Sequence, residues 1–286
     1  MALRHGWRRS TGGEPVTRGH MLRRATLRVV RESEALVRVR VLGDTLVETV
    51  DGAVDRAWLS QRPGKLLRYL VSQNGRFVPA DEIIEALWPG SGFDAENNVR
   101  YLVHLLRKRL EPNRPTRGRS FSVECLAGAY ALGPSVWVDV GAFEELVEDA
   151  LSQSEDELAL AQIDRALELY GGDFLSDEPY ADWAMIERER IRGLAEHALR
   201  TAVAIHEERH DFGHALQYAR WLAELEPYDS DAQLALISLC LRCGRRGEAA
   251  RRYGAFRSRL MRDFNEAPEF TLSTASAKSN APSGCS

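Results

Sequence analysis

The first regular pattern along the chain alternates apolar and basic residues. LVRVRVLG, which begins at Leu36, has a period of two, and this period is typical of a strand with one buried face. TLVETV continues the pattern and DGAV supplies a turn, so the sequence predicts a small sheet over residues 36–58.

Three amphipathic segments follow this sheet. PGKLLRYLVSQNG places its leucines on one helical face and ends at Asn74 and Gly75, which are typical of a helix C-terminus. VPADEIIEALWPG and DAENNVRYLVHLLRKRLEP have the same periodicity, and a proline stops each of them. RSFSVECLAGAYAL then predicts two short strands that turn at Ala127 and Gly128. A sheet, three helices and a hairpin are the element order of a winged helix-turn-helix domain with an extra N-terminal sheet.

Everything after GPSVWVDVGAF is amphipathic at helical spacing. Gly213 and Ala215 recur 34 residues later as Gly247 and Ala249, and about 34 residues is the period of tetratricopeptide repeats. The predicted fold is therefore mainly α with a small β part: a winged helix-turn-helix domain followed by a tetratricopeptide-like α-helical domain. One repeated pair also fits other arrays of helical hairpins, so this assignment stays open.

These patterns divide the chain into four predicted parts. Residues 1–34 are expected to form a basic, disordered arm, and residues 35–135 the winged-helix domain. Residues 136–270 are expected to form the helical domain, and residues 271–286 a disordered tail. Met21 is an alternative to Met1 as the start of the chain.

Charge is distributed unevenly between the two predicted domains. The formal net charge is only −4, but residues 97–119 hold seven basic residues and one acidic residue. Residues 141–200 hold 16 acidic and five basic residues. Such a division favours one part that meets a polyanion and another that does not, although charge can also be uneven without any partner.

The composition argues against a membrane or secreted protein. No apolar run approaches the roughly 18–20 residues of a membrane span, and the basic start MALRHGWRRSTGG lacks the apolar stretch of a secretory signal. The four cysteines are scattered, which favours a reducing cytoplasm over a disulfide framework. The sequence therefore predicts a cytoplasmic protein.

The sequence shows none of the common motifs of catalysis. A GxxxxGK[ST] loop, a GxGxxG turn after a strand and a GxSxG nucleophile elbow are all absent. Cys240 and Cys243 form a CxxC pattern, but inside an amphipathic helix Cys240 is expected to be a core residue. Four histidines are expected on solvated helix faces: His197, His206, His210 and His214. No catalytic, cofactor-binding or metal-binding residue is predicted, and the chain is not expected to be an enzyme.

The third predicted helix, Ala95–Leu110, has two chemically different faces. At about 100° per residue, its apolar residues share one arc: Val99, Leu102, Val103, Leu106 and Leu110. The opposite arc carries Asn97, Arg100, Tyr101, His104, Arg107 and Lys108. Arginine reads guanine edges and asparagine reads adenine edges in the major groove. A basic solvated surface is the alternative for this helix alone, but its position before the hairpin favours DNA.

Basic residues outside this helix extend the candidate surface. Arg62 and Lys65 open the first helix, where phosphates meet helix N-termini. Arg114, Arg117 and Arg119 lead to the hairpin, which lies beside the phosphate backbone in a winged helix. The predicted DNA contacts are Asn97, Asn98, Arg100, Tyr101, His104, Arg107, Lys108, Arg117, Arg119, Arg62 and Lys65.

Longer stretches of the chain resemble a known family. PGKLLRYLVSQNGRFVPADEIIEALWPG, NNVRYLVHLLRKRL and SVECLAGAYAL are similar to the OmpR-type winged-helix domain of the Streptomyces antibiotic regulatory proteins. DVGAFEEL, ALELYGGDFLSDEPYADWAMIERERIRGLAEHAL and the region from residue 211 to 260 resemble the bacterial transcriptional activation domain of that family. The resemblance covers about residues 36–270, in the family's order.

This resemblance implies a sequence-specific transcriptional activator. It implies binding to direct repeats in double-stranded promoter DNA as a homodimer or higher assembly, and contact with the sigma factor and other subunits of RNA polymerase. It also implies a nucleoid-associated protein that is specific for a secondary-metabolite (antibiotic) gene cluster, with no cofactor. Relatives often carry arginine where this chain has His104, so His104 either reads a base or fills the groove. The alternative is a tetratricopeptide-type protein–protein adaptor without specific DNA binding.

Overall fold

The computed structural model describes residues 31–90, 95–115 and 118–280. The N-terminal half contains β1 (Val37–Arg40), β2 (Leu46–Thr49), β3 (Gly52–Ala53), α1 (Arg56–Leu59), α2 (Arg62–Ser72), β4 (Val78–Pro79), α3 (Ala80–Leu87), α4 (Ala95–Leu110), β5 (Val123–Leu126) and β6 (Ala129–Leu132). The C-terminal half contains β7 (Val136–Val138), α5 (Asp139–Ser152), α6 (Asp156–Leu169), α7 (Asp182–Glu208), α8 (Phe212–Leu225), α9 (Ser230–Arg242), α10 (Arg246–Asp263) and α11 (Leu272–Asn280).

The N-terminal sheet has the strand order β3-β2-β1-β7. β1 is antiparallel to β2, with Val39 opposite Val47, and parallel to β7, with Val37 opposite Val136. Val37 and Val39 are fully buried while Arg40 is exposed, which confirms the period of two. β7 was not predicted, because its three residues carry too little pattern and its partner lies about 100 residues earlier in the chain.

The winged-helix fold follows the predicted order, except that residues 56–58, which the sequence assigned to the N-terminal sheet, lie in an additional short helix. The four-residue helix α1 begins after Asp55, whose carboxylate accepts hydrogen bonds from the N–H groups of Ala57 and Trp58. At Gly64 a Cβ atom would lie 1.8 Å from the carbonyl oxygen of Leu59, so glycine is what lets α2 pack directly on α1. α2, α3 and α4 pack against one another around the N-terminal core.

The wing is the predicted β5–β6 hairpin, and β6 also pairs with β4. Ala127 and Gly128 at its tip have φ angles of 49° and 81°. Positive φ at both central residues is the signature of the type I′ turns that suit two-residue hairpins. The sequence therefore located the turn of the wing correctly.

The C-terminal half consists of helical hairpins, with α5 against α6, α7 against α8, and α9 against both α8 and α10. Ala215 on α8 and Ala249 on α10, which are 34 residues apart in sequence, are both fully buried. The repeated alanines therefore lie at helix contacts, as the repeat predicts, whereas Gly213 and Gly247 are exposed.

Two predicted disordered ends need correction. Residues 272–280 of the predicted tail form α11, whose Ala275 is fully buried against α9. Glu32–Glu34, in the predicted arm, form a short 3-10 helix because Arg38 donates to the Glu32 carbonyl and Arg40 pairs with the Glu32 carboxylate at 3.0 Å. Residues 1–30 of the arm and 281–286 of the tail lie outside the described residues.

One hydrophobic core runs from the N-terminal sheet into α5, α6 and α7, and a second lies among α8–α11. Several polar contacts fasten the two halves together. The Asp139 carboxylate, at the start of α5, accepts hydrogen bonds from the backbone N–H groups of Val41 and Leu42 at 2.9–3.0 Å. The Arg68 guanidinium on α2 binds Glu178, in the loop before α7, at 2.8 Å. The winged helix is therefore attached to the helical half along a continuous interface.

Candidate nucleic-acid interface

The two faces of α4 are separated as the sequence predicts. Its apolar side chains are buried: Val99, Leu102, Val103, Leu106 and Leu110. Its polar arc is exposed at Asn97, Arg100, Tyr101, His104 and Lys108, and half-buried at Asn98 and Arg107. Tyr101 is 61% exposed, so its side chain is accessible on this arc. α4 therefore presents amide, guanidinium, imidazole and phenol groups from a rigid, well-packed base.

Arg100 lies between the helix and the wing. Its Nη1 is 3.5 Å from the Asn97 Oδ1, one turn earlier. It also contacts the hydroxyl of the buried Tyr130 on β6; burial raises the pKa of Tyr130, and the contact with Arg100 lowers it in part. The guanidinium therefore contacts the wing through Tyr130, while Arg100 as a whole remains exposed on the polar arc of α4.

Arg107 connects α4 to the wing through hydrogen bonds. Its Nη2 and Nε donate to the carbonyl oxygen of Val123 on β5, at 2.8 and 3.2 Å. Two N–H groups directed at one carbonyl fix the side chain, so Arg107 orients the wing relative to α4. Sequence reasoning placed it on the polar arc but missed this contact, which joins residues 16 positions apart.

We expect Arg107→Ala to lower the free energy of unfolding by about 1–2 kcal/mol, because the Val123 carbonyl loses a charged donor in a partly buried site. Urea unfolding measures this loss. Lys108→Ala, on the same turn but exposed, is the matched control and should leave stability nearly unchanged. An equal loss in both variants would contradict a specific role of Arg107 in holding the wing.

A buried carboxylate organises the loop between α4 and the wing. Glu111 is 4% exposed, and its Oε1 accepts hydrogen bonds from the backbone N–H groups of Phe121 and Ser122, at 3.2 and 2.8 Å, and from the Ser120 and Ser122 hydroxyls. Arg114 Nε lies 3.1 Å from the other oxygen of Glu111. Arg114, which was expected to extend the basic path to the wing, thus balances a buried carboxylate.

The remaining predicted basic residues occupy different surroundings. The Arg62 guanidinium, at the start of α2, lies 5.7 Å from the centre of the Trp88 ring, and Lys65 is half-buried. Arg119 is exposed in the loop before the wing, while Arg117 lies outside the described residues. The wing itself exposes Glu124, Cys125 and Leu126 rather than basic side chains.

The sequence predicts structural roles for Cys240 and for four histidines in the helical half. Cys240 is fully buried, as predicted, and burial raises the pKa of its thiol to about 11. His197, His210 and His214 are exposed, but the prediction of a solvated face is wrong for His206, whose side chain is 12% exposed. His206 is buried because α8 folds back on α7 and brings Tyr218 and His214 against its ring.

The chain matches two described protein families and is similar to a solved structure. A family described as "Bacterial transcriptional activator domain" matches residues 138–278, and one described as "Transcriptional regulatory protein, C terminal" matches residues 55–121. The solved structure "Mycobacterium tuberculosis EmbR in complex with low affinity phosphopeptide" is similar, with a TM-score of 0.63 at 20% sequence identity. The match covers 86% of this chain and 65% of that one, so this chain spans about two thirds of that structure and shares its fold. No curated protein matches the chain.

The fold and the two matched families define a transcriptional regulator in which an OmpR-type winged helix precedes a bacterial transcriptional activator domain. With both domains in this order, the chain belongs to the family of Streptomyces antibiotic regulatory proteins. Families of this kind are typically not enzymes. Among the described residues, no helix is both long and apolar enough to cross a membrane.

Proposed function

We propose that this protein is a sequence-specific activator that reads promoter DNA with the exposed arc of α4 and contacts RNA polymerase through its helical half. The observation that carries the proposal is the division of α4 into a buried apolar face and an exposed polar arc with Asn97, Arg100 and His104. In a winged helix, this helix enters the major groove, where such side chains read base edges.

Each residue of the interface then has a distinct role. Asn97, Arg100 and His104 face the bases, with Asn98 and Tyr101 beside them. Lys108 and Arg119, with Arg62 and Lys65 at the start of α2, contact phosphates, which set register and affinity rather than sequence. Arg107 acts through the wing, whose Val123 carbonyl it holds. Arg117 belongs to the same basic loop and is proposed as a further phosphate contact.

The finer parts of the proposal follow from family membership. The protein is proposed to bind direct repeats near promoters as a homodimer or higher assembly and to act on a secondary-metabolite gene cluster. Its partners in transcription are proposed to be the sigma factor and other subunits of RNA polymerase. Because these partners lie in the cytoplasm, the protein is proposed to be cytoplasmic and associated with the nucleoid.

We expect Arg100→Ala to weaken specific binding by about 1–3 kcal/mol if Arg100 reads a base. The measurement is fluorescence anisotropy with a site first located by footprinting across the DNA around the protein's own gene. Wild-type affinity should fall steeply as salt rises, because phosphate contacts release counterions. The matched control is Arg109→Ala, since Arg109 is exposed on the same helix but outside the arc. It should leave discrimination between the site and random DNA unchanged.

Two results oppose this proposal. The absence of any protected site in the gene neighbourhood contradicts specific binding. Promoter activation that survives Arg100→Ala together with Asn97→Ala, despite lost DNA binding, favours the adaptor, in which α4 is only a basic surface. Point substitutions are better suited to this test than deletion of residues 36–135, because that deletion removes half of a core shared with the helical domain.

A further inference from the structure

The turn between α7 and α8 brings together three side chains of the kind that bind transition metals. His206 lies in the last turn of α7, Asp211 is the N-cap of α8, and His214 lies in its first turn. One candidate ligand atom from each residue lies within 4.8 Å of the other two. The three residues are close only because α8 reverses direction after α7, so this is a feature of the folded hairpin.

The spacing of these atoms suits a metal ion. His206 Nδ1 is 3.4 Å from Asp211 Oδ2, which is longer than the ~2.7–3.2 Å of a good hydrogen bond. Ligands at about 2.0–2.1 Å from a tetrahedral Zn²⁺ lie roughly 3.3 Å apart. His206 and Asp211 therefore already have the separation of two zinc ligands.

His206 Nδ1 is a buried polar atom that makes no hydrogen bond within the described part of the chain. The ring is held on both sides, by His214 with centroids 5.3 Å apart and by Tyr218 with centroids 5.5 Å apart. A buried acceptor or donor without a partner costs free energy, and a bound ion would satisfy it.

His214 completes the group but has to move slightly. Its Nδ1 is 2.6 Å from Asp211 Oδ2, the geometry of a hydrogen bond. Its side chain is 61% exposed, so it can rotate to open this distance without disturbing the core. Arg209, in the turn between the two helices, pairs with Asp156 at 3.2 Å. The carboxylate of Asp211 is then the main charge that faces an ion at this position.

We propose that His206, Asp211 and His214 bind a divalent transition-metal ion, with Zn²⁺ the best fit, and leave a fourth position for water or another ligand. Imidazole and carboxylate ligands in a three-residue set suit Zn²⁺ better than Mg²⁺ or Ca²⁺, which prefer all-oxygen sites. The ion would join α7 to α8 at the hairpin where the two hydrophobic cores meet.

The test uses the full-length protein after treatment with a chelator. Zn²⁺ is titrated in competition with a chromophoric chelator, and Co²⁺ is titrated separately to record its ligand-field absorption. The expected result is one ion per chain, and a rise in Tm with Zn²⁺ because the ion binds the folded state. His214→Ala and Asp211→Asn should each weaken binding by at least about tenfold. Asp211→Asn keeps the Oδ1 that caps α8 and serves if His214→Ala folds poorly.

His197→Ala is the matched control, since His197 is exposed on α7 but outside the group. It should retain both the affinity and the rise in Tm. His5 and His20, near the N-terminus, are also candidate metal ligands, and binding there would be unchanged in His214→Ala and Asp211→Asn. Binding that is absent in the wild type, or that is unchanged in both His214→Ala and Asp211→Asn, overturns the proposal.

Discussion

Replacing Arg68 with alanine is expected to lower the free energy of unfolding by about 3–5 kcal/mol, because it removes a buried guanidinium and leaves the partly buried Glu178 carboxylate without this partner. Arg68 is 5% exposed in the middle of α2. Its Nη2 and Nε donate to the Glu178 carboxylate at 2.8 and 3.1 Å, and its Nη1 donates to the Leu59 carbonyl at 3.1 Å. The variant removes all three bonds and the ion pair of Nη1 with Asp177 at 3.4 Å, and it leaves Glu178, whose side chain is 18% exposed, without this guanidinium.

The measurement is urea unfolding followed by circular dichroism at neutral pH. Arg56→Ala is the control, because Arg56 also forms an ion pair with a carboxylate, Asp44, but is 72% exposed. Exposed pairs contribute little, so its midpoint should be nearly unchanged. Arg68→Met combined with Glu178→Gln should cost less than the sum of the single changes, since it removes the uncompensated charge. A loss below about 1 kcal/mol in Arg68→Ala would show that water reaches this pair in solution.

Asp139→Asn is expected to lower the free energy of unfolding by about 2–4 kcal/mol, because one backbone N–H group loses its acceptor, and a second loses one of its two acceptors, in a buried site. Each oxygen of Asp139 accepts two N–H groups: Oδ1 those of Val41 and Val140, and Oδ2 those of Val41 and Leu42. An amide nitrogen in place of either oxygen turns an acceptor into a donor. Because Asp139 is 1% exposed, water cannot replace the lost bonds.

Asp182→Asn is the control for this prediction. Asp182 also opens a helix, α7, but its side chain is exposed. Its replacement should cost less than about 1 kcal/mol, the scale of a helix-dipole contribution. Equal losses in the two variants would contradict the special role of the buried carboxylate.

Asp139 also makes stability depend on pH. Burial raises its pKa from 3.8 to about 6, and the backbone N–H groups offset this only in part. Since the folded pKa lies above the unfolded one, the native state keeps a proton that the unfolded chain releases between these values. The contribution of Asp139 to the free energy of unfolding therefore falls as pH rises from about 4 to about 6. Asp139→Asn should lack this component in a series of unfolding curves across that range.

The local patterns of the chain were sufficient for most of the fold. The alternation at Val37 and Val39 and the arcs of α4 were predictable because each depends only on the period of a strand or helix. The wing turn was predictable because Ala127-Gly128 interrupts two short apolar runs. β7 and α1 were missed because three or four residues are too few to show a period.

The contacts that position the site depend on distant residues. Arg68 stands inside an apolar run, LLRYL, and this buried position of an arginine was a signal of a buried partner. Its partner Glu178 lies 110 residues later, in a loop that no local rule connects to α2. Glu111 and His206 are similar cases, because an acidic residue after a helix and a histidine near a helix end are both ordinary on a surface.

The interface formed by Arg68 and Asp139 has a consequence for how the protein reaches a promoter. Because the winged helix and α5–α7 share one core, the direction in which the helical half projects is fixed relative to α4. With α4 in a major groove, as proposed, a shift of the binding site by half a turn of DNA, about 5 base pairs, carries the helical half to the opposite side of the duplex. The rotational phase of the binding site along the duplex, and not only its distance from the promoter, would then decide whether RNA polymerase is within reach.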